Sequence, residues 1–409
     1  MDLTFRNARL VEAPDRMLDV GVTGGRITAI GGEIPDGART LDLEGRLLLP
    51  GLVETHIHLD KSCILHRCSS ERGDVAEAIS EVSRVKPDFT EEDVAERAGR
   101  TLRKCVVNGT TRIRTHVEVD PVIGLRGLNG VKAAIDAWRW AVDTEICVFP
   151  QEGLLNNPGT DELMVAALKD GARCVGAAPY TDTDPHGQID RVFEMARDFD
   201  VDIDMHLDFS TDISSVDADY VMRKTDAYGW GGRVAIGHVS KFSAMPPVQL
   251  EKYAKRLAGA GVAVTVLPST DLFLMGREHD HSVPRGVSPV HRMLEHGVTC
   301  SLSTNNVLNP FTPFGDGSLI RMANLYANIA QVGRTDMLAA CLEMVTTRSA
   351  RLMNLEDYGI GIGNTADLVV VDNTDPAMTV AEISQPLYAF KAGRQTVQRS
   401  LPVLGEAER

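Results

Sequence analysis

The chain has 409 residues, enough for one large core and a smaller module, since single cores stop growing near ~250–300 residues. Hydrophobic residues at 43% and charged residues at 24% exclude wholesale disorder. A net charge of −15, with no long basic run to offset it, speaks against nucleic acid or an acidic membrane as partner.

The opening stretch, MDLTFRNARLVEAPDR, has acids and arginines where an export signal needs a continuous apolar run, so a cytoplasmic location is expected. No window approaches the ~18 apolar residues of a membrane helix. Residues 1–48 then read as short strands with glycine punctuation: DLTFRNARLV, DVGVTGGRITAIGG and RTLDLEGRLLLP. That texture returns in ADLVVVDN and AFKAGRQTVQ, which predicts one composite β domain from residues 1–48 and 360–409.

From 49 to 359 the pattern changes. Short apolar strands (VETHIHL, TRIRTHVEV, CVFPQEG, CVGAAPY, VDIDMHLDF, RVAIGHVS, VAVTVLPS, VTCSLSTNN) alternate with amphipathic stretches such as DELMVAALKDGA and PPVQLEKYAKRLAGAGV. Eight alternations predict a (β/α)8 TIM barrel, with an open doubly wound sheet as the alternative. The seven cysteines are scattered and form no CxxC pair, so they read as reduced, mostly buried thiols. GIGIG at 359–363 lacks the strand–turn–helix context of a dinucleotide fingerprint and reads as a turn into the β domain.

Polar residues gather toward the C-terminal ends of the strands, where a barrel of this kind builds its active site. His56 and His58 stand two apart on the first strand, so both side chains can reach one metal. Alone, such a pair is weak. His206 and His238 close two further strand-like runs, and four imidazoles at three strand ends are hard to explain as packing, because each buried ring needs partners.

LLLPGLVETHIHLDKS, IRTHVEVDP, VFPQEGLL, DMHLDF, IGHVS, LMGRE, NNVLNPFTPFGDG and LMNLEDYGIGIGNTADLVVVD follow one another as in bacterial cytosine deaminase and its relatives. On these motifs the chain resembles the cytosine deaminase-like amidohydrolases, including the N-isopropylammelide amidohydrolase type, over nearly its whole length. The resemblance implies a barrel hydrolase of carbon–nitrogen bonds with one divalent metal, zinc first, iron or manganese as alternatives. His56, His58 and His206 would be ligands, and His238 would polarise the attacked group or hydrogen-bond the attacking water. Gln151 would orient the substrate through its amide. The fourth strand, CVGAAPY, has no lysine to bridge a second metal.

Two departures stand out. Asn305 occupies the strand-eight position where the family has an aspartate, and the next carboxylate is the amide of Asn306. Phe209 replaces the strand-five glutamate that shuttles protons, and offers a substrate an apolar wall instead. Asn305 can still coordinate through its carbonyl oxygen but cannot act as a base. Asp208, two residues after His206, is the replacement base this pattern suggests, with orientation of a ligand histidine as the alternative. Asp60 and Glu152 are weaker candidates, able to pair with Lys61 or an arginine.

The His116-Val-Glu118 triplet mimics the HxE of another deaminase fold, but the required PCxxC is missing. His116 therefore reads as structural or substrate-facing, and His279 and His281 as solvated loop residues. The function expected is deamination of a small nitrogen heterocycle, with hydrolysis of a cyclic amide or N-alkylamine as alternative. A barrel that kept the fold and lost the reaction is the reading from another class. A small-molecule partner is implied, and self-association rests on analogy with other barrels.

Overall fold

The computed structural model describes residues 1–405; the last four residues of the predicted 360–409 segment lie outside the described residues. Two sheets form the frame. The first is mixed and draws β1 (Leu3–Leu10), β2 (Ala13–Thr23), β3 (Arg26–Gly31), β4 (Arg39–Asp42) and β5 (Leu47–Pro50) from the start of the chain. The second consists of parallel strands: β6 (Leu52–Ile57), β7 (Thr110–Glu118), β8 (Asp143–Phe149), β9 (Cys174–Val175), β10 (Asp202–Leu207), β11 (Val234–His238), β12 (Val262–Val266) and β13 (Cys300–Leu302). The chain then returns to the first sheet with β14 (Leu368–Val371), β15 (Pro386–Lys391) and β16 (Arg394–Gln398). This is the (β/α)8 barrel with a small β-sandwich module made from both ends.

Several barrel strands are short and buried along their whole length, as in VAIGH and VAVTV, because helices cover one face and side chains fill the other. The covering helices begin at sequence-encoded caps. Asp74 accepts from the Glu77 N–H, Thr90 from Asp93 and Asp184 from Gly187, each satisfying a donor the first turn leaves open. The amphipathic stretches expected at DELMVAALK and PVQLEKYAKRLAGA are the helices Thr160–Lys169 and Pro247–Ala260.

The ring closes at its mouth through an isolated parallel bridge between Ile57 and Asn305. There the Asn305 N–H donates to the His56 carbonyl at 2.9 Å, and the His58 N–H to the Asn305 carbonyl at 2.8 Å. Lower down, the Thr55 hydroxyl bonds Ser301 and Ser303.

β5 and β14 pair antiparallel, Leu49 opposite Val369. Both strands serve two cores. Leu47, Leu49, Val369 and Val371 pack into the barrel cluster, while Leu48, Leu368 and Val370 pack into the small-sheet cluster, the two faces that strand alternation provides. Polar ties reinforce the seam: Lys391 Nζ lies 2.6 Å from both Asp367 and Asp143, and Arg112 reaches the same two carboxylates. GIGIG is a turn leading to β14, with left-handed φ at Gly359 and Gly363. All seven cysteines are free thiols, six of them buried.

Candidate active site

β6 carries His56 near its C-terminal end, and His58 follows one residue beyond it; β10 carries His206. His206 Nε2 stands 3.1 Å from His56 Nε2 and 3.0 Å from His58 Nε2. His238, the last residue of β11, joins His56 and His206 in one set of candidate ligand atoms within 4.8 Å of one another. All four rings are buried. Burial, then neighbouring imidazoles, pushes His56 down to about 3 and His206 well below its ordinary value; for His58 the causes are burial and then the Lys61 charge. These rings are therefore neutral, the form that binds metal.

Three neutral Nε2 atoms meet at hydrogen-bond distance, and the Nδ1 atoms of the same three rings are buried without a partner. The side-chain oxygen of Asn305, Oδ1, is also buried with no hydrogen-bond partner. That donor set fits a divalent cation.

Asp204, two residues before His206 on β10, was not anticipated. Its carboxylate accepts from Arg114 Nη1 at 3.1 Å and lies 3.6 Å from His56 Nδ1 and 3.5 Å from His116 Nε2. The neighbouring histidines hold its pKa far below the ordinary range against the cost of burial. His116 stacks on His56 with ring centroids 3.7 Å apart. Asp204 lies two residues before His206 within β10, so strand alternation puts both side chains on one face.

Asp208 itself is not brought into the site. β10 ends at Leu207, and Asp208 adopts a left-handed φ of 51°, so strand alternation no longer directs its side chain. Its carboxylate accepts the N–H groups of Asp217 and Ala218 at 2.9 and 3.0 Å and lies 3.2 Å from Lys241 Nζ. The expected base is thus a loop anchor. Asp60 likewise accepts the backbone N–H groups of Lys61 and Glu118, and Glu152 pairs with Lys86.

A different carboxylate approaches the histidines. Asp271, on the helix Pro268–Leu274 after β12, places Oδ1 2.6 Å from His238 Nδ1. Its Oδ2 accepts the Leu267 N–H at 3.2 Å. Burial raises its pKa, opposed by His238.

A narrow cavity of about 10 Å³ opens on the cluster, lined by His58, His206, His238 and Asn305 with Gln151, Asn306 and Phe209. That is small beside the ~300–1,000 Å³ of usual ligand pockets. No carboxylate lines it among the described residues. The Phe209 ring lies 3.9 Å from His238 between centroids and forms an apolar wall. Asn306 commits its carbonyl oxygen to Asn309 at 2.6 Å.

Lys61, also in the wall, was missed as a site residue. Its Nζ contacts Gln151 Oε1 at 2.8 Å and Glu118 Oε2 at 3.2 Å. A lysine only donates, so it fixes which end of the Gln151 amide is oxygen. The buried Gln151 NH2 is then left without a closed hydrogen bond, beside the Tyr180 hydroxyl. His281 is almost fully exposed and half-exposed His279 lines a separate surface cleft, both apart from this cavity.

Comparison with known proteins agrees with the resemblance read from the motifs. The Amidohydro_3 amidohydrolase family profile matches residues 70–397. The chain is 28% identical over 407 residues to N-isopropylammelide isopropyl amidohydrolase of Pseudomonas sp. (strain ADP), covering 97% of each. The structure of 5-methylcytosine deaminase from Klebsiella pneumoniae, liganded with 5-fluorocytosine, superposes with a TM-score of 0.94 at 26% identity, covering 98% of this chain and 99% of that one. N-isopropylammelide isopropylaminohydrolase from Burkholderia multivorans superposes at 0.86 with 30% identity, covering 97% and 99%. The chain therefore belongs to the amidohydrolase family and is a hydrolase acting on carbon–nitrogen bonds.

Proposed function

We propose that the chain hydrolyses a carbon–nitrogen bond of a small nitrogen heterocycle, by deamination or removal of an alkylamine, at a single divalent metal. The observation that carries this reading is the convergence of His56, His58 and His206 on one point, with the unpartnered Asn305 oxygen beside them. His56, His58, His206 and Asn305 would hold a divalent ion, zinc by preference, which would supply an activated water. The protein's own groups do the rest. The Gln151 NH2 and Asn306 hold the ring, Phe209 closes one side, and His238 faces the attacked carbon. Relatives named as acting on N-isopropylammelide, pterin and 5-methylcytosine support the choice of a small ring.

The test is metal analysis together with a substrate screen. One equivalent of metal per chain is expected, lost in His56→Ala and His206→Ala. Pyrimidines, aminotriazines and cyclic amides, scored for amine release and ring opening, should reveal turnover that disappears with the metal. The amide at Asn305 and the apolar Phe209 favour a second reading, an inactive barrel. Protein that binds no metal and turns over none of the panel would establish that reading instead.

A further inference from the structure

The family's two proton-handling carboxylates are replaced by Asn305 and Phe209, and the expected substitute, Asp208, is tied to backbone amides. Water attacking a ring carbon must still lose a proton. A buried carboxylate aimed at a cavity-lining histidine, a side chain that can move one, is Asp271, 2.6 Å from His238 Nδ1. Its other oxygen is fixed by the Leu267 N–H. A carboxylate accepts, so His238 keeps its proton on Nδ1 and presents the bare Nε2 lone pair to the cavity.

We infer that Asp271 is a positioning residue that makes His238 the proton acceptor of this enzyme, standing in for the absent strand-eight carboxylate. The inference rests on the hydrolase reading above. The step balances with a single proton carrier. Water oxygen bonds the ring carbon, the carbon–nitrogen π pair moves onto the ring nitrogen, and the water proton passes to His238 Nε2. His238 returns that proton to the exocyclic nitrogen. The pair on the ring nitrogen re-forms the double bond, the exocyclic carbon–nitrogen bond breaks with its electrons, and a neutral amine leaves. The ring departs as its hydroxy tautomer. No separate donor to the ring nitrogen is needed, consistent with Phe209 in place of the glutamate. Rings already poor in electrons, which tolerate charge on that nitrogen, are the chemical class this route favours.

The geometry supplies a signature that a merely structural role would not give. In Asp271→Asn the amide oxygen must stay on the Leu267 N–H, so its NH2 points at His238 Nδ1 and drives the proton to Nε2. The wrong tautomer then faces the substrate, a change known to cost about 10⁴-fold in kcat where a histidine base is held this way. Asp271→Ala only releases the ring and should cost about 10–100-fold, in the range of lost supporting contacts to a site. Asparagine is thus expected to be the worse substitution, with KM and metal content near wild type. Asn305→Asp placed in the Asp271→Asn background should restore part of kcat. Nitrogen NMR of labelled histidine in the resting protein, independent of any substrate, should show Nδ1–H for His238 and its reversal in Asp271→Asn. The inference is overturned by alanine costing more than asparagine, by metal loss in either variant, by failure of Asn305→Asp to rescue, or by an Nε2–H tautomer in the wild type. A wild-type protein inactive on every substrate would instead sink the hydrolase reading, while the NMR result would still decide the pair.

Discussion

Asp208 and Asp204 sit equally far from His206 in sequence, yet only one of them reaches the histidine cluster. The strand ends between His206 and Asp208, so the rule that equates positions two apart holds backward and fails forward. Asp208→Asn is accordingly expected to leave kcat near wild type. It should lower stability by about 1–3 kcal/mol, because two backbone N–H groups, one of them buried, and Lys241 lose an anionic acceptor. Thermal unfolding beside kinetics on one preparation checks both halves, and abolished turnover would return Asp208 to the mechanism. His56, His58, His206 and His238 were legible because each falls at a strand end with recognisable spacing. Asp271 was not, since it lies 33 residues from His238 on a helix whose direction only the folded chain sets. Lys61 was read as a pairing partner for Asp60 or Glu152, because nothing local shows that it turns inward to Gln151.

At the level of elements, alternation of strand and helix was readable, since buried parallel strands and amphipathic helices have different periods. The domain seam was placed at residue 48, but β5 runs on to Pro50 and faces both cores, which a polarity pattern of four apolar residues cannot show. Closure of the barrel by Asn305 was also invisible, because it depends on backbone groups rather than on the side chain. Close approach of β9 to β10 yields a sharper test. A Cβ on Gly176 would stand 2.6 Å from the Asp204 carbonyl oxygen and 3.0 Å from Phe149 Cβ. Gly176→Ala should therefore push on the strand that bears His206, costing about 1–3 kcal/mol from overpacking. A lower melting temperature with weakened metal retention is the expected pair of results, and an unchanged melting temperature would refute it.

At the scale of the whole molecule, one largely buried network joins two lysines to three carboxylates. Glu118 is shared by Lys61 and by Lys86 at 3.0 Å, and Lys86 also meets Asp120 at 2.6 Å and Glu152. The two lysines hold the Glu118 carboxyl well below its ordinary 4.5, against burial that would raise it. Its contribution to stability is then fully present above 4.5 and is lost as pH falls below that value toward the folded-state pKa. Urea midpoints should drop in that acid window. Glu118→Gln should start about 3–5 kcal/mol lower at neutral pH, since it strands buried cations, and should show a shallower acid decline. Equal acid slopes in the two proteins would dissociate Glu118 from the effect. The pairing of β5 with β14 sets a different constraint, one of time. These neighbours are separated by roughly 300 residues, which a ribosome adding ~5–20 residues per second needs about 15–60 seconds to supply. Throughout that interval the apolar faces of the first five strands lack their partner. A nascent chain must shield them, or be shielded, until its own far end arrives.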